Sequence, residues 1–229
     1  MIKDLFIQGI TAGCVNDCKI GKLNIEGIEE CMSYMVGVIN ENGCVIATDS
    51  LITVDNKYTI TDFTKVFSNK ENNIIWGVIG NYGYNEELLD SINDCLKNKD
   101  IAAMKAKVLE YSTKHSLNNI TLNIFFCEYL TRPSLTVIDF INGEFYISNN
   151  IACGAYYAGN NSNMHHVLGT IKQVSSLSID ESLEKCQKII KDEIEIEEFI
   201  FNKNPFYQKT IGGDCKYVMM KKDGIIEGN

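Results

Sequence analysis

The sequence predicts an α+β fold, a four-layer αββα sandwich in which two antiparallel sheets pack face to face and helices cover each from outside. Three observations carry this expectation. Apolar runs of strand length come in consecutive groups with Asn-Gly or Asp-Gly turn steps, helical periodicity appears in two pairs of segments, and the groups follow one another as strands, helix pair, strands, helix pair, strands. Hairpin-connected strands pair antiparallel, whereas a doubly wound parallel sheet needs a helix between each strand and the next. Two face-packed antiparallel sheets satisfy the observed order. A chain of 229 residues with 45 % hydrophobic composition can bury one sizeable core, and no linker or internal repeat divides it.

Taken in order, residues 34–40 and 43–50 are short apolar runs joined through Glu41-Asn42-Gly43, whose Asn-Gly step favours a tight hairpin. Strands are expected next at 64–68 and 73–79. A helix follows over 84–97, where Leu88, Leu89, Ile92 and Leu96 recur at three- and four-residue spacing, and a second over 101–116. The second strand block comprises 119–129, 134–141, 144–148 and 151–158, with Asn142-Gly143 as turn chemistry. Helical period returns in 162–173 and 180–199. A strand at 214–221, followed by Asp223-Gly224, closes the chain.

Composition excludes several functions. A formal net charge of −9 opposes a phosphate-tracking surface, so nucleic acid is not an expected partner. The apolar stretch Leu5-Phe6-Ile7 is broken by Gln8 and Gly9, too short for a secretory core or a membrane span, which predicts a cytoplasmic protein with no membrane partner. Nine cysteines, odd in number and scattered, suit reduced, buried thiols better than a disulfide framework. Cys14 and Cys18 have no second ligand pair at zinc spacing and His165-His166 stand far off, so neither metal nor cofactor is expected. The acidic run from Asp192 to Glu198 reads as a solvated helix face.

Ser33-Tyr-Met-Val-Gly37, Gly43-Cys-Val-Ile-Ala-Thr-Asp49-Ser50 and Thr64-Lys65-Val-Phe67 together are similar to proteasome β-subunits and the bacterial HslV peptidase, N-terminal-nucleophile (Ntn) hydrolases. In those proteins a nucleophilic Thr opens the mature chain, Gly follows four residues on, Asp sixteen residues on, and Lys sixteen after the Asp. Gly37, Asp49 and Lys65 stand at those distances from Ser33. A lone Asp49 would read as a strand-end turn residue, and a lone Ser33 would carry no signal. A lysine entering an apolar strand must snorkel or pair.

The resemblance implies that residues 1–32 are a propeptide or extension, that 33–229 form the hydrolase domain, and that autocleavage exposes Ser33 as nucleophile and base together. Lys65 would favour the deprotonated hydroxyl, Asp49 would hold Lys65, Gly80 of Trp76-Gly-Val-Ile-Gly80 would donate to an oxyanion, and Ser162 would support the new terminus. By the same carry-over Ile52, Phe63, Val78 and Tyr82 would line an apolar substrate pocket. Expected partners are a peptide or unfolded protein substrate, copies of the same chain in a closed ring, and an ATP-dependent unfoldase.

Three positions depart from the family pattern. Ser replaces Thr at the nucleophile, Met32 replaces the usual Gly before the cut, and Gln208-Lys-Thr-Ile211 before Gly212-Gly213 lacks the family's Asp and Ser, with Thr210 as the nearest substitute. Two further readings therefore stand beside the peptidase: an inert structural subunit that keeps residues 1–32, and an amidohydrolase acting on a small amide.

Overall fold

The computed structural model describes residues 33–54, 58–81, 86–115, 120–141, 143–151, 153–159, 177–204, 207 and 209–229. The expected segment 1–32 and the helix expected at 162–173 lie outside them. Along the chain come β1 (Tyr34–Asn40), β2 (Gly43–Asp49), β3 (Ile52–Val54), β4 (Tyr58–Ile60), β5 (Val66–Asn69), β6 (Ile74–Ile79), α1 (Glu86–Lys97) and α2 (Ile101–Lys114). They continue with β7 (Leu122–Tyr129), β8 (Pro133–Ile141), β9 (Glu144–Ile151), β10 (Gly154–Gly159), α3 (Ile179–Lys203), β11 (Cys215–Lys221) and β12 (Gly224–Gly228).

The strands form two five-stranded antiparallel sheets, in the orders β10-β1-β2-β11-β12 and β5-β6-β7-β8-β9, and β3-β4 form a separate hairpin. The Asn-Gly step turns as expected, with Asn40 paired to Gly43. Pro133 opens β8, a position where its missing N–H leaves the ladder intact.

Successive strand residues face opposite sides of a sheet, and the apolar sets sort accordingly. Met35, Ile39 and Ile46 of the first sheet meet Ile75, Phe125 and Val137 of the second. On its other face the second sheet packs Trp76, Val78, Ile124 and Ile138 against Leu88 and Ile92 of α1 and Met104 and Val108 of α2. The other face of the first sheet packs Val36, Val45, Ala47 and Met219 against Cys186, Ile189 and Ile190 of α3. A capping box opens α3: Ser178 Oγ accepts from Glu181 N–H at 3.2 Å and Glu181 Oε2 accepts from Ser178 N–H at 2.8 Å.

Several boundaries differ from expectation for identifiable reasons. The β3-β4 hairpin has strands of three residues, below the length at which alternation is legible, and β12 is a five-residue edge strand with glycine at both ends. Helix α3 runs four residues past the expected 199, through exposed Phe199 and Phe201 that break its apolar stripe without breaking the helix. Within the expected acidic face, Glu193 and Glu197 are buried rather than solvated.

Candidate functional site

The site gathers at the start of β1. Ser33 directly precedes that strand, and Tyr34 pairs with Gly159 at the end of β10. Gly159 has φ of +126°, and a Cβ there would lie 2.1 Å from the Ser33 carbonyl oxygen, so the approach that seats Ser33 needs glycine. Ser33 is 5 % exposed.

Asp49 ends β2, beside β1. Its Oδ1 accepts from Tyr34 N–H at 3.0 Å, and its Oδ2 accepts from Leu51 N–H and Gly212 N–H, both at 3.2 Å. A buried carboxylate is costly unless such donors replace water. Lys65 directly precedes β5, and its carbonyl accepts Val78 N–H at 2.9 Å, which anchors its backbone to β6. Its ammonium donates to Ser33 Oγ at 2.8 Å, Asp49 Oδ1 at 2.9 Å and Leu51 O at 2.6 Å. Lys65 is 1 % exposed and Asp49 fully buried, so the ion pair is shielded from solvent. The repeated spacing of sixteen residues thus corresponds to one hydrogen-bonded group of Ser33, Lys65 and Asp49.

Ser50 ties three segments to this group. Its N–H donates to Gly212 O at 3.1 Å, its Oγ donates to Thr61 O at 2.6 Å, and the same Oγ accepts from Asp214 N–H at 2.7 Å. Gly213 has φ of +73°, and a Cβ there would approach Ser50 Oγ and Thr61 O to 2.3 Å. The spacing argument did not reveal the roles of Ser50, Gly159 or the Gly212 amide. The Gly212-Gly213 pair was their one visible signal.

Gly80 follows β6 with φ of +139°, and a Cβ there would lie 2.1 Å from Thr121 O. Because Val78 N–H points toward Lys65 O, strand alternation turns the Gly80 N–H, two residues on, to the same side. Ser162 and Tyr82 lie outside the described residues. Ile52 is half-buried in β3, Phe63 is half-buried against the α1–α2 core, and Val78 is fully buried within that core, with no surface of its own to present. The Thr210 N–H donates to Glu197 Oε2 at 3.0 Å, and its buried hydroxyl has no hydrogen-bond partner among the described residues.

Behind Ser33, the Tyr34 ring stacks on Tyr157 with centroids 6.4 Å apart. Burial, and then the Glu193 charge and Tyr157, hold the Tyr34 phenol far above its ordinary range, so it stays neutral. Among the described residues no group of three or more His, Cys, Asp or Glu side chains could hold a metal ion. No helix among them is long and apolar enough to cross a membrane.

The arrangement can hold a hydroxyl against a buried cation. An ammonium has three N–H donors and no acceptor, and all three of Lys65 are engaged. In this state Lys65 stabilises negative charge on Ser33 Oγ but does not take its proton. A separate base is required.

No family model and no curated protein matches the chain. Among solved structures it is similar to an Anbu (Gly-1) mutant from Hyphomicrobium sp. strain MC1, with TM-score 0.55 and 11 % identity over 86 % of this chain and 85 % of that one. It is also similar to Anbu from the same strain, with TM-score 0.52 and 10 % identity over the same shares. These findings correct the assignment to proteasome β-subunits and HslV that the motif spacing suggested, because the structures matched are of Anbu and no family model supports that assignment. What the likeness shows is a shared α+β fold.

Proposed function

We propose that the chain is an N-terminal-nucleophile peptidase that uses Ser33 after removal of residues 1–32. The observation that carries this reading is the contact of Lys65 Nζ with Ser33 Oγ at 2.8 Å, within a buried group completed by Asp49. Three stacked apolar clusters support a four-layer αββα sandwich for residues 33–229, with α3 on one outer side and α1 and α2 on the other.

In the first step Ser33 Oγ attacks the Met32 carbonyl carbon, its proton passes through solvent to the Ser33 nitrogen as the Met32 C–Ser33 N bond breaks, and water hydrolyses the resulting Met32 ester, releasing residues 1–32 with a terminal carboxylate and leaving Ser33 with a free α-amine. That amine, with an ordinary pKa of about 7.7–8.0, is the base that Lys65 does not supply. For a substrate, the amine takes the Oγ proton as Oγ bonds to the scissile carbonyl. The Gly80 N–H, turned toward the Lys65 side, donates to the oxyanion, and the amine returns the proton to the leaving nitrogen. Water then attacks the ester and releases the second product. Ile52, Phe63, Val78 and Tyr82 supply apolar character near the cut, Val78 from within the core, and Ser162 supports the new terminus. The working form is a ring of identical cytoplasmic subunits acting on unfolded protein delivered by an ATP-dependent unfoldase.

A specific observation favours a second reading. Thr210, the nearest substitute for the missing Ser, has its amide on Glu197 and its hydroxyl without a hydrogen-bond partner among the described residues. Without the Asp and Ser that the family places before the Gly-Gly pair, the chain would be an inert structural subunit that keeps residues 1–32. The same catalytic group could also serve a small amide.

Intact mass of the purified protein beside Ser33→Ala separates these readings. The peptidase reading expects a wild-type chain beginning at Ser33 and a full-length variant. Full-length mass for both, after prolonged incubation at high concentration, would sink it. Cleavage that persists in Ser33→Ala would exclude Ser33 as nucleophile.

A further inference from the structure

We propose that Glu197 is a positioning residue that sets the Asp49–Lys65 pair by clamping the segment between α3 and β11. The inference rests on the reading of Ser33, Asp49 and Lys65 as a catalytic group, although its test does not depend on turnover.

Helix α3 buries Cys186, Ile189, Ile190, Glu193 and Glu197 on one face. The spacing is that of an apolar stripe, yet its last two members are carboxylic side chains. A glutamate that is 1 % exposed requires donors in place of water, and Glu197 finds them in the segment that follows its own helix. Its Oε1 accepts from Tyr207 Oη–H at 2.7 Å, and its Oε2 accepts from Thr210 N–H at 3.0 Å. Two residues after Thr210, the Gly212 N–H donates to Asp49 Oδ2, and the other oxygen of that carboxylate accepts from Lys65.

The path from Glu197 to Ser33 Oγ therefore runs through Thr210, Gly212, Asp49 and Lys65, each link a hydrogen bond or two residues of chain. Ser50 holds the same segment from the other side through Gly212 O and Asp214 N–H. Two anchors on one short segment fix where the Gly212 amide points. Without Glu197 the segment keeps the Lys209–Glu198 ion pair and the buried Ile211 side chain, but the Thr210 amide is no longer fixed, and the Gly212 N–H two residues on is held to Asp49 less firmly.

The test follows amide hydrogen exchange residue by residue in the full chain, for wild type, Glu197→Ala, Glu197→Gln and Tyr207→Phe. Glu197→Ala is expected to speed exchange at Gly212 at least tenfold while Phe125, deep between the sheets, is unchanged. Glu197→Gln, which keeps one acceptor, should fall between alanine and wild type. Tyr207→Phe, which removes one arm from a half-buried residue, should fold and speed Gly212 severalfold. Unchanged Gly212 exchange in all three, or acceleration that merely tracks Phe125, would overturn the inference and leave Ser50 as the anchor. In parallel, the rate at which a fluorophosphonate labels Ser33 should fall with Gly212 protection. Absence of labelling in wild type would count against the nucleophile reading, while exchange would still decide the role of Glu197.

Discussion

At the scale of single residues, Lys65 and Asp49 depend on each other in a way neither shares with a surface ion pair. Both are buried, and removing one partner strands the other charge. Lys65→Met keeps the length of the side chain but removes all three donors. Asp49 retains the N–H groups of Tyr34, Leu51 and Gly212, which offsets part of the loss. The expected cost is about 3 kcal/mol, at the low end for breaking a buried pair, read as a lower urea midpoint at neutral pH. Adding Asp49→Asn should recover part of it, and a cost below about 1 kcal/mol would mean the pair is better hydrated than its burial implies. The Ser33, Asp49 and Lys65 positions were legible because each lies sixteen residues from the next. Gly212 was not, since it reaches Asp49 from 163 residues away. No local pattern encodes a contact of that range.

At the scale of elements, β7 and β8 carry a polar pair inside an apolar sheet. Asn123 and Asp139 are cross-strand partners, and Asn123 Nδ2 donates to the Asp139 carboxylate at 2.5 Å. Burial pushes the Asp139 carboxyl up to about 6, with the Asn123 hydrogen bond opposing it. An ordinary unfolded Asp titrates near 4, so between about pH 4 and 6 the folded chain binds more protons than the unfolded one. Stability should therefore rise as pH falls through this window, and above it the charged carboxylate costs up to about 3 kcal/mol. Asp139→Asn should raise the melting temperature at pH 7 and flatten the slope between pH 4 and 6. A variant with the wild-type slope would rule Asp139 out as its source. Helix α3 shows the limit of reading elements from pattern: its acidic run suggested a solvated face, yet Glu193 and Glu197 lie in the buried stripe, where donors from the segment after the helix satisfy the Glu197 carboxylate.

At the scale of the whole molecule, the two sheets approach closely where Gly37 faces Phe125. A Cβ on Gly37 would lie 2.8 Å from Phe125 Cδ2, and Phe125 is fully buried. Gly37→Ala should cost about 1–3 kcal/mol by overpacking, and Phe125→Ala about 3–5 kcal/mol by leaving a cavity. The double variant should cost less than the sum, because the new methyl occupies space the ring vacated; additive costs in urea unfolding would place the two residues out of contact. The order of strand and helix blocks made the sheets and α1–α2 legible, since apolar periodicity survives over long elements. The short β3-β4 hairpin and β12 escaped because three to five residues carry too little period. The resemblance in spacing likewise picked out three residues that meet in one hydrogen-bonded group but misassigned the relatives.

The members of the site come from the start of β1, the end of β2, the entry to β5 and the approach to β11, so no contiguous stretch of chain holds it. On the proposed reading this imposes an order in time. A nascent chain carries Ser33 well before Gly212, and the surroundings of the Asp49 carboxylate are completed only when β11 joins β2. The hydroxyl acquires its full surroundings only after the segment around Gly212 has been made and β11 has paired with β2. Self-cleavage as proposed would thereby wait for the segment that carries Gly212 to fold in, with topology serving as the timer.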